Sequence, residues 1–269
     1  MGEVPQYGVV WQKIEIEYKK SFIPFPIGRT PLIPASRPWH PGGMCGRFSI
    51  YATSQELADG TLCALLAGFR EERRYNIAPG QWVIVVRPER EERVPALAQW
   101  GLVPSWAKDP QAGPRPINAR AEGLEAKPTF RGAFRHGRCL VPASGFFEWK
   151  GQGGRKQPYF IRPRGGEGLF VFAGLFSTWA GPDGELATCT LITTTANALM
   201  AELHDRMPVI LSRADQAAWL DPGNPQAADL LRPCPAEGME AFPVGAAVGN
   251  PRNDGPELVS PLPGLTWDA

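Results

Sequence analysis

Cys45 directly follows Met44, and this pair offers a chemistry that no other residue of the chain provides. If Met44 starts the mature chain and is removed, Cys45 keeps a free α-amine beside its thiol. The amine titrates near ~7.7–8 and the thiol near ~8.5, so both nucleophiles are partly available at neutral pH. Such a 1,2-aminothiol condenses with an aldehyde, first to a Schiff base and then to a thiazolidine ring. The alternative is that Cys45 is a small buried apolar side chain.

Three further segments set polar side chains among aromatic or charged neighbours. Asn118 and Arg120 place an amide and a guanidinium two residues apart. Glu148 lies between two aromatic residues, where partial desolvation raises the pKa of a carboxyl towards neutral pH. His204 precedes an acidic and a basic residue. Structural alternatives are an ion pair with an arginine for Glu148 and a cap of a helix C-terminus for His204.

Common catalytic and metal-binding motifs are missing from the sequence. It has no Walker loop, dinucleotide-binding fingerprint or nucleophile elbow. Three histidines are too few for a His-rich metal site, and the five cysteines include no Cys-x-x-Cys pair. We therefore expect neither a metal nor a cofactor, and we expect free thiols in a reducing cytoplasm.

Length and composition are those of a globular protein. The 269 residues are 43% hydrophobic and 20% charged, and the net charge is +1. This balance excludes a mainly disordered, collagen-like or coiled-coil chain, and it does not by itself indicate nucleic-acid binding. No run of about 18 apolar residues predicts a membrane span, and residues 1–20 lack the pattern of a secretory signal.

Short strands dominate the predicted secondary structure. Turn residues separate them, helices are few, and no βαβ rhythm or internal repeat occurs. We therefore predict one α+β domain whose strongly twisted mixed or antiparallel sheet forms a barrel-like core with short peripheral helices. We expect strands over 82–86, 97–102, 139–141, 146–149, 159–161, 169–176, 187–193 and 207–211. We expect helices over 54–66, 121–131, 196–203 and 214–220.

Three details concern how these elements begin and pair. Ser54 is the expected N-cap of the first helix. Pro128 is expected to break the second helix, because proline removes a donor and clashes with the preceding turn. The strands at 139–141 and 146–149 are expected to pair with each other around a turn at 143–145.

Residues 1–43 differ in composition from the rest of the chain. They contain seven prolines and end in Gly42-Gly43, so they cannot hold a long helix, although 8–18 could form an edge strand. We assign 1–43 to an N-terminal extension and 44–269 to the folded domain. Three interpretations stay open, in order of preference: a true start at Met44, self-processing between Met44 and Cys45, and an inactive extended form.

A series of short motifs between residues 44 and 255 resembles the SOS response-associated peptidase (SRAP) family, which includes abasic-site shield proteins. No single motif is specific, but their order and spacing together are. The N-terminal extension 1–43 has no counterpart in the family pattern, where cysteine directly follows the initiator methionine. The motifs are MCGRF, RYNIAPGQ, WGLVPSWAKD, INARAE, RCLVPASGFFEW, a Thr-rich strand, HDRMPVIL and AVGNPRN.

This resemblance implies capture of abasic sites in single-stranded DNA, whose open-chain sugar is an aldehyde. Cys45 would be the covalent nucleophile, and Asn118 would orient its α-amine and sulfur. Glu148 would serve as general acid and base during sugar-ring opening and Schiff-base formation. His204 would shuttle protons in the imine chemistry. Thr193 matches a hydroxyl that lies near the site in the family.

The resemblance also implies a DNA-binding groove. Arg47 and Arg120 would flank the site and clamp phosphates, for which the guanidinium fork is suited, and Arg206 would assist them. An aromatic side chain in the groove can stack on a base, at roughly 1–3 kcal/mol per base. The groove would be lined by Asn76, Pro79 and Trp106. The alternatives are ion pairs or solvated positions for the arginines and core packing for Trp106.

Two other classes of function compete with this interpretation. A cysteine peptidase could use Cys45, His204 and Asn118 on external peptides and would need no free amine. A noncatalytic module could bind single-stranded DNA through Trp106 and the arginines alone. For the preferred function we expect a monomer whose partner is single-stranded DNA with abasic sites, with no membrane association, in the cytoplasm and on the nucleoid of a bacterium.

Overall fold

The computed structural model describes residues 45–68, 73–152, 154–182 and 184–263. The extension 1–43, its possible strand at 8–18 and Met44 lie outside the described residues. In the part that is described, no helix is long and apolar enough to cross a membrane.

Twelve strands and four α-helices form the described part of the chain, together with several short 3-10 turns. The strands are β1 (Phe48–Ile50), β2 (Arg74–Ile77), β3 (Trp82–Glu89), β4 (Glu92–Trp100), β5 (Asn118–Arg120), β6 (Arg138–Ala143), β7 (Gly145–Gln152), β8 (Arg155–Pro163), β9 (Phe170–Gly181), β10 (Gly184–Thr195), β11 (Arg206–Pro208) and β12 (Met239–Pro243). The helices are α1 (Ser54–Thr61), α2 (Pro128–His136), α3 (Ala198–Ala201) and α4 (Asp215–Leu220).

Five strands close into a barrel. β3 pairs with β4, and β4 lies parallel to β10, which pairs along its length with β9. β9 pairs with β6, and β6 returns to β3 through Val86 and Leu140. β5 and β11 extend the barrel wall along the two edges of β10. The mixed, barrel-like core predicted from the sequence is therefore confirmed.

The barrel is filled by apolar side chains from alternate positions of its strands. Trp100, Leu140, Phe172 and Leu191 belong to one cluster of fully buried side chains. Because successive residues of a strand point to opposite faces, the large side chains of these strands converge inside the ring. Each such side chain contributes about 1.5–3 kcal/mol by leaving water.

A second, antiparallel sheet of five strands lies beside this barrel in the order β12-β8-β7-β1-β2. Phe147, Phe160 and Phe242 form its own apolar cluster. The rings of Phe147 and Phe160 have centroids 4.9 Å apart, within the range of favourable aromatic pairs. This sheet carries Glu148 on β7 and leads, through β1, back to Cys45.

The predicted pairing of 139–141 with 146–149 is wrong. β6 belongs to the barrel and β7 to the second sheet, and only Ser144 separates them. A β-carbon at Gly145 would overlap the ring of Phe160 and would lie 2.6 Å from the carbonyl oxygen of Ile161. The chain therefore runs on from one sheet to the next at a glycine that permits close contact, instead of turning back in a hairpin.

Two predicted helix starts also change. α1 has Thr53 as its N-cap, and a capping box joins Thr53 to Glu56, so the expected cap at Ser54 is wrong by one residue. Pro128 begins α2 instead of breaking a helix over 121–131. Proline suits the first turn of a helix, because the N–H that it lacks has no intrahelical partner there.

Candidate active site

Cys45 and Glu148 are in direct contact. The backbone N–H of Cys45 donates to Oε1 of Glu148 across 2.6 Å. The antiparallel pair of β1 and β7 creates this contact: Phe48 faces Phe146, and one step nearer to Cys45 the backbone N–H of Phe147 donates to the carbonyl oxygen of Arg47 across 3.0 Å. Cys45 is buried and has a backbone φ of 46°, a left-handed conformation that is uncommon for residues other than glycine. The proposed nucleophile and the proposed acid–base residue are thus brought together.

Burial determines the proton state of both groups. The carboxyl of Glu148 is 4% exposed, and its desolvation raises its pKa to about 7, although hydrogen bonds from the backbone of Cys45 and Trp149 act in the opposite direction. Burial also raises the pKa of the Cys45 thiol well above its usual range, and the neighbouring Glu148 charge adds to this effect. Near neutral pH the thiol is therefore protonated, and Glu148 is divided between its acid and its carboxylate.

His204 lies in the turn between α3 and β11. Its Nδ1 is 2.7 Å from Oδ1 of Asp205 and accepts a hydrogen bond of 3.1 Å from the backbone N–H of Arg206. The charge of Asp205 also raises the pKa of Glu148, so this turn lies within electrostatic reach of the buried carboxyl. Asp205 was not among the predicted site residues, although its position beside His204 was visible in the sequence.

Asn118 and Thr193 lie on adjacent strands of the barrel wall. β5 runs parallel to β10, so that Asn118 is in register with Leu191 and Arg120 with Thr193. Thr193 is buried, Asn118 is partly buried and Arg120 is exposed at the end of its strand. The catalytic role predicted for Asn118 stays a prediction.

Arg206, which we predicted to assist DNA binding, forms an ion pair with Glu122 of the same chain. Its Nη1 and Nη2 donate to the two carboxylate oxygens of Glu122 across 2.6 and 2.9 Å, and Nη2 also donates to the carbonyl oxygen of Thr193 across 2.7 Å. The sequence singled out the motif that contains Glu122, but it gave no signal for this pairing across 84 residues.

Arg47 and Asn76, two predicted DNA contacts, are bonded to each other. Nη1 of Arg47 donates to Oδ1 of Asn76 across 2.8 Å and to the carbonyl oxygen of Val248 across 2.7 Å, while Nη2 donates to that of Gly249 across 3.2 Å. Burial lowers the pKa of Arg47. Much of the fork that would grip a phosphate is therefore occupied by the protein itself.

Asn76 anchors the segment 248–254, which we call the C-terminal latch. Its Nδ2 group lies within hydrogen-bond distance of the carbonyl oxygens of Val248, Asn250 and Asn253, at 3.2, 3.0 and 2.8 Å. The backbone N–H of Asn76 donates to Asp254 across 3.0 Å. With 2% of its surface exposed, Asn76 is placed to hold this segment. Direct contact with DNA, as predicted from the resemblance, stays a prediction.

Trp106 and Pro79 occupy more accessible positions. Trp106 is 65% exposed, and its indole Nε1 is 3.4 Å from the carbonyl oxygen of Pro128. Pro79 is partly exposed in the turn between β2 and β3, beside Gly80, whose φ of 83° favours glycine. The alternative that Trp106 packs in the core is therefore wrong, and Trp106 presents an aromatic face to solvent.

The described residues contain no group of three or more His, Cys, Asp or Glu that could hold a metal ion. All five cysteines are free thiols. Cys139 and Cys189 are buried in the barrel, where desolvation raises both thiol pKa values. These side chains pack as small apolar groups.

Comparisons with known proteins agree on the family. The family model of SOS response associated peptidase (SRAP) matches residues 44–251. The chain is 39% identical over 222 residues to the abasic site processing protein YoqW of Bacillus subtilis (strain 168), covering 80% of this chain and 99% of the relative. It is 33% identical over 235 residues to the abasic site processing protein YedK of Escherichia coli (strain K12), covering 81% and 100%.

A solved structure supports the same conclusion at the level of the fold. The crystal structure of a protein from Bacteroides thetaiotaomicron superimposes with a TM-score of 0.70 at 28% sequence identity, covering 81% of this chain and 100% of that one. Residues 44–251, which the family model matches, include the barrel, the second sheet, and both Cys45 and Glu148. The chain belongs to the SRAP family.

Proposed function

We propose that this protein processes abasic sites in single-stranded DNA by forming a covalent bond to the lesion through Cys45, and so protects the lesion during the response to DNA damage. The observation that carries the proposal is the 2.6 Å contact between the nitrogen of Cys45 and a carboxyl whose pKa is about 7. The names of the relatives, all abasic site processing proteins, supply the substrate class.

The proposed reaction uses the nitrogen and the sulfur of Cys45 in turn. The α-amine adds to the aldehyde carbon of the open-chain sugar, and loss of one water gives an imine. The thiol sulfur then adds to the imine carbon while the nitrogen gains a proton, which closes a thiazolidine ring. Glu148 lies beside that nitrogen and can supply and accept the protons of both steps, because near neutral pH it is populated in both forms.

The reaction requires that Cys45 carry an amine and not an amide. We propose that the peptide bond between Met44 and Cys45 is broken before the protein acts, either by ordinary processing of a chain that starts at Met44 or by the protein itself. In the second route the thiol attacks the carbonyl carbon of Met44, the acyl group moves from nitrogen to sulfur, and water hydrolyses the thioester. The neutral acid of Glu148 would protonate the leaving nitrogen, from which its Oε1 is 2.6 Å distant.

His204, Asn118 and Arg120 complete the proposed site. His204 would act as a second proton carrier in the imine steps, and its imidazole is held in the turn by the hydrogen bond that Nδ1 accepts from the backbone N–H of Arg206. Asn118 would orient the amine and the sulfur. The exposed Arg120 and Trp106 are accessible to a phosphate and to a base, respectively.

Intact-mass measurement tests the proposal. The full chain and a chain that begins at Met44 are each incubated with single-stranded DNA that holds one abasic site, and with the same strand undamaged. We expect a product whose mass is that of the strand plus the chain from Cys45 onward, less one water. It should form only with the damaged strand.

The two chains distinguish how the amine arises. Loss of residues 1–44 from the full chain before adduct formation supports self-processing, provided that Glu148→Gln prevents this loss. An adduct that forms with the shorter chain but not with the full chain supports a start at Met44. If the shorter chain, shown by mass to begin with Cys45, forms no adduct with the damaged strand, the proposed function is wrong.

A further inference from the structure

We propose that Glu122 competes with DNA phosphate for Arg206 and thereby weakens the binding of undamaged DNA before the covalent step. The inference rests on the proposed function, because it concerns how the same site meets its strand. Its basis is the two-pronged ion pair between Arg206 and Glu122, with N–O distances of 2.6 and 2.9 Å.

The ion pair occupies the edge of the guanidinium that a phosphate would need. A phosphate is held best by two parallel N–H donors, and in Arg206 both terminal nitrogens already donate to Glu122. A strand can therefore gain Arg206 only by displacing the carboxylate. Until then the positive charge of Arg206 is neutralised at short range.

The two partners are held to different degrees, so Glu122 is the one that can leave. The side chain of Arg206 is 11% exposed, lies on β11 in register with Thr195, and donates to the carbonyl oxygen of Thr193. The side chain of Glu122 is 56% exposed, in the turn after β5. Water can replace the arginine at such an exposed carboxylate at little cost.

One donor of Arg206 is left over in this arrangement. Nε is buried and has no hydrogen-bond partner among the described residues. A buried donor without a partner is unfavourable, so the ion pair leaves Arg206 incompletely satisfied.

The position of Arg120 makes the exchange relevant to DNA. Arg120 is exposed on the strand that leads to Glu122 and is in register with Thr193, whose carbonyl oxygen accepts the Arg206 hydrogen bond. Two arginines and one carboxylate thus share one part of the surface. While Glu122 is paired, its carboxylate holds Arg206 and is also within electrostatic reach of Arg120. When Glu122 is displaced, both guanidinium groups can contact phosphates of a strand.

Noncovalent binding of undamaged DNA tests this inference without the covalent chemistry. The full chain with Cys45→Ala is titrated with a labelled single-stranded oligonucleotide over a series of salt concentrations, and the affinity is followed by fluorescence anisotropy. Glu122→Gln is compared with Glu125→Gln, an exposed neighbour whose substitution makes the same change in net charge. Melting temperatures show that each variant is folded.

We expect Glu122→Gln to bind roughly threefold or more tightly than Glu125→Gln at low salt, with a slope of log K against log salt that is steeper by about 0.7, the value for one added phosphate contact on a single strand. Adding Arg206→Ala should remove this gain. Equal affinities of the two glutamine variants would overturn the inference, and so would weaker binding by Glu122→Gln, which would mean that Glu122 presents Arg206 to the strand. Neither outcome depends on whether the parent chain forms an adduct with abasic DNA, so this inference and the proposed function can fail separately.

Discussion

The backbone nitrogen of Cys45 and the Oε1 atom of Glu148 are 2.6 Å apart, although 103 positions separate the two residues in the chain. This nitrogen belongs to an amide while Met44 is attached and becomes an amine when Met44 is gone. Glu148 is therefore placed at the one atom whose chemistry changes with processing. In the mechanism that we propose, a single carboxyl serves both the release of the amine and its later reaction with an aldehyde.

Two substitutions of Cys45 separate the two steps of aldehyde capture. In a chain from which residues 1–44 are absent, Cys45→Ser keeps the amine and loses the sulfur, so it should form only a reversible imine. Borohydride should trap this imine on abasic DNA, and no stable adduct should appear without it. Cys45→Ala is expected to behave in the same way, since its amine also remains. A borohydride-independent adduct in either variant, measured by denaturing electrophoresis, would contradict a role for the sulfur.

Glu148 should make the stability of the protein depend on pH. Its pKa is about 7 in the folded protein against an ordinary value of 4.5, so between these values the folded state holds a proton that the unfolded state has lost. Stability should therefore fall as the pH rises through this window, by up to about 3 kcal/mol. Urea unfolding of the parent and of Glu148→Gln from about pH 5 to about pH 8 measures the effect. The difference in stability should shift in favour of the variant as the pH rises, and parallel pH profiles would disprove the prediction.

Asn76 should contribute more to the free energy of unfolding than the side chains of the latch that it anchors. Asn76→Ala removes the acceptor of Arg47 and the donors to three carbonyl groups, so we expect a loss of about 3 kcal/mol in the free energy of unfolding. Asn253→Ala is the matched control, because its side chain makes one exposed hydrogen bond to Ala247, worth about 1 kcal/mol or less. If Asn76→Ala weakened DNA binding and left stability unchanged, direct contact with DNA would be the better explanation.

Trp106 should contribute to binding and not to folding. Its side chain is largely exposed, so Trp106→Ala should change the free energy of unfolding by less than about 0.5 kcal/mol. Loss of a stacked base should weaken noncovalent binding of single-stranded DNA by about 1–3 kcal/mol. Anisotropy titrations with the Cys45→Ala background, beside thermal unfolding, give both quantities. Unchanged affinity would remove Trp106 from the DNA-binding surface.

Gly145 should tolerate no side chain, whereas Gly151 on the same strand should. A methyl group at Gly145 would meet the ring of Phe160 and the backbone of Ile161, and relieving these contacts should cost about 1–3 kcal/mol or more. A β-carbon at Gly151 meets nothing within 4 Å. Urea unfolding of Gly145→Ala and Gly151→Ala compares them directly. Similar stabilities would show that the two sheets can shift relative to each other at little cost.

The sequence predicted the elements of the fold better than their partners. Most strands appear where apolar and β-branched residues indicated them, and the barrel followed from many short strands with few helices. The pairing of β6 with β7 was wrong because a hairpin and a crossing from one sheet to another both need turn residues around Gly145. Only the contact of Gly145 with Phe160, fifteen residues further along, distinguishes the two.

The candidate site shows the same limit. The resemblance to the family predicted that Cys45 and Glu148 act in one site, and the structure places them in contact. The sequence could not indicate that Arg47 and Arg206 bind other residues of the same chain. Their partners Val248 and Glu122 are 201 and 84 positions away from them. The domain boundary, the roles of Asn118 and His204, and the monomeric state stay predictions.

The latch has a consequence for the order in which the contacts around Arg47 and Cys45 can form. Arg47 lies two residues from Cys45, and its partners in the latch come 201 and 202 positions later. A ribosome must therefore finish almost all of the matched domain before the surroundings of Cys45 can close. Contacts this distant form late because a long loop has to be ordered first. A chain still under synthesis thus carries Cys45 without its completed surroundings, and the closed arrangement of Arg47, Asn76 and the latch is a property of the finished protein.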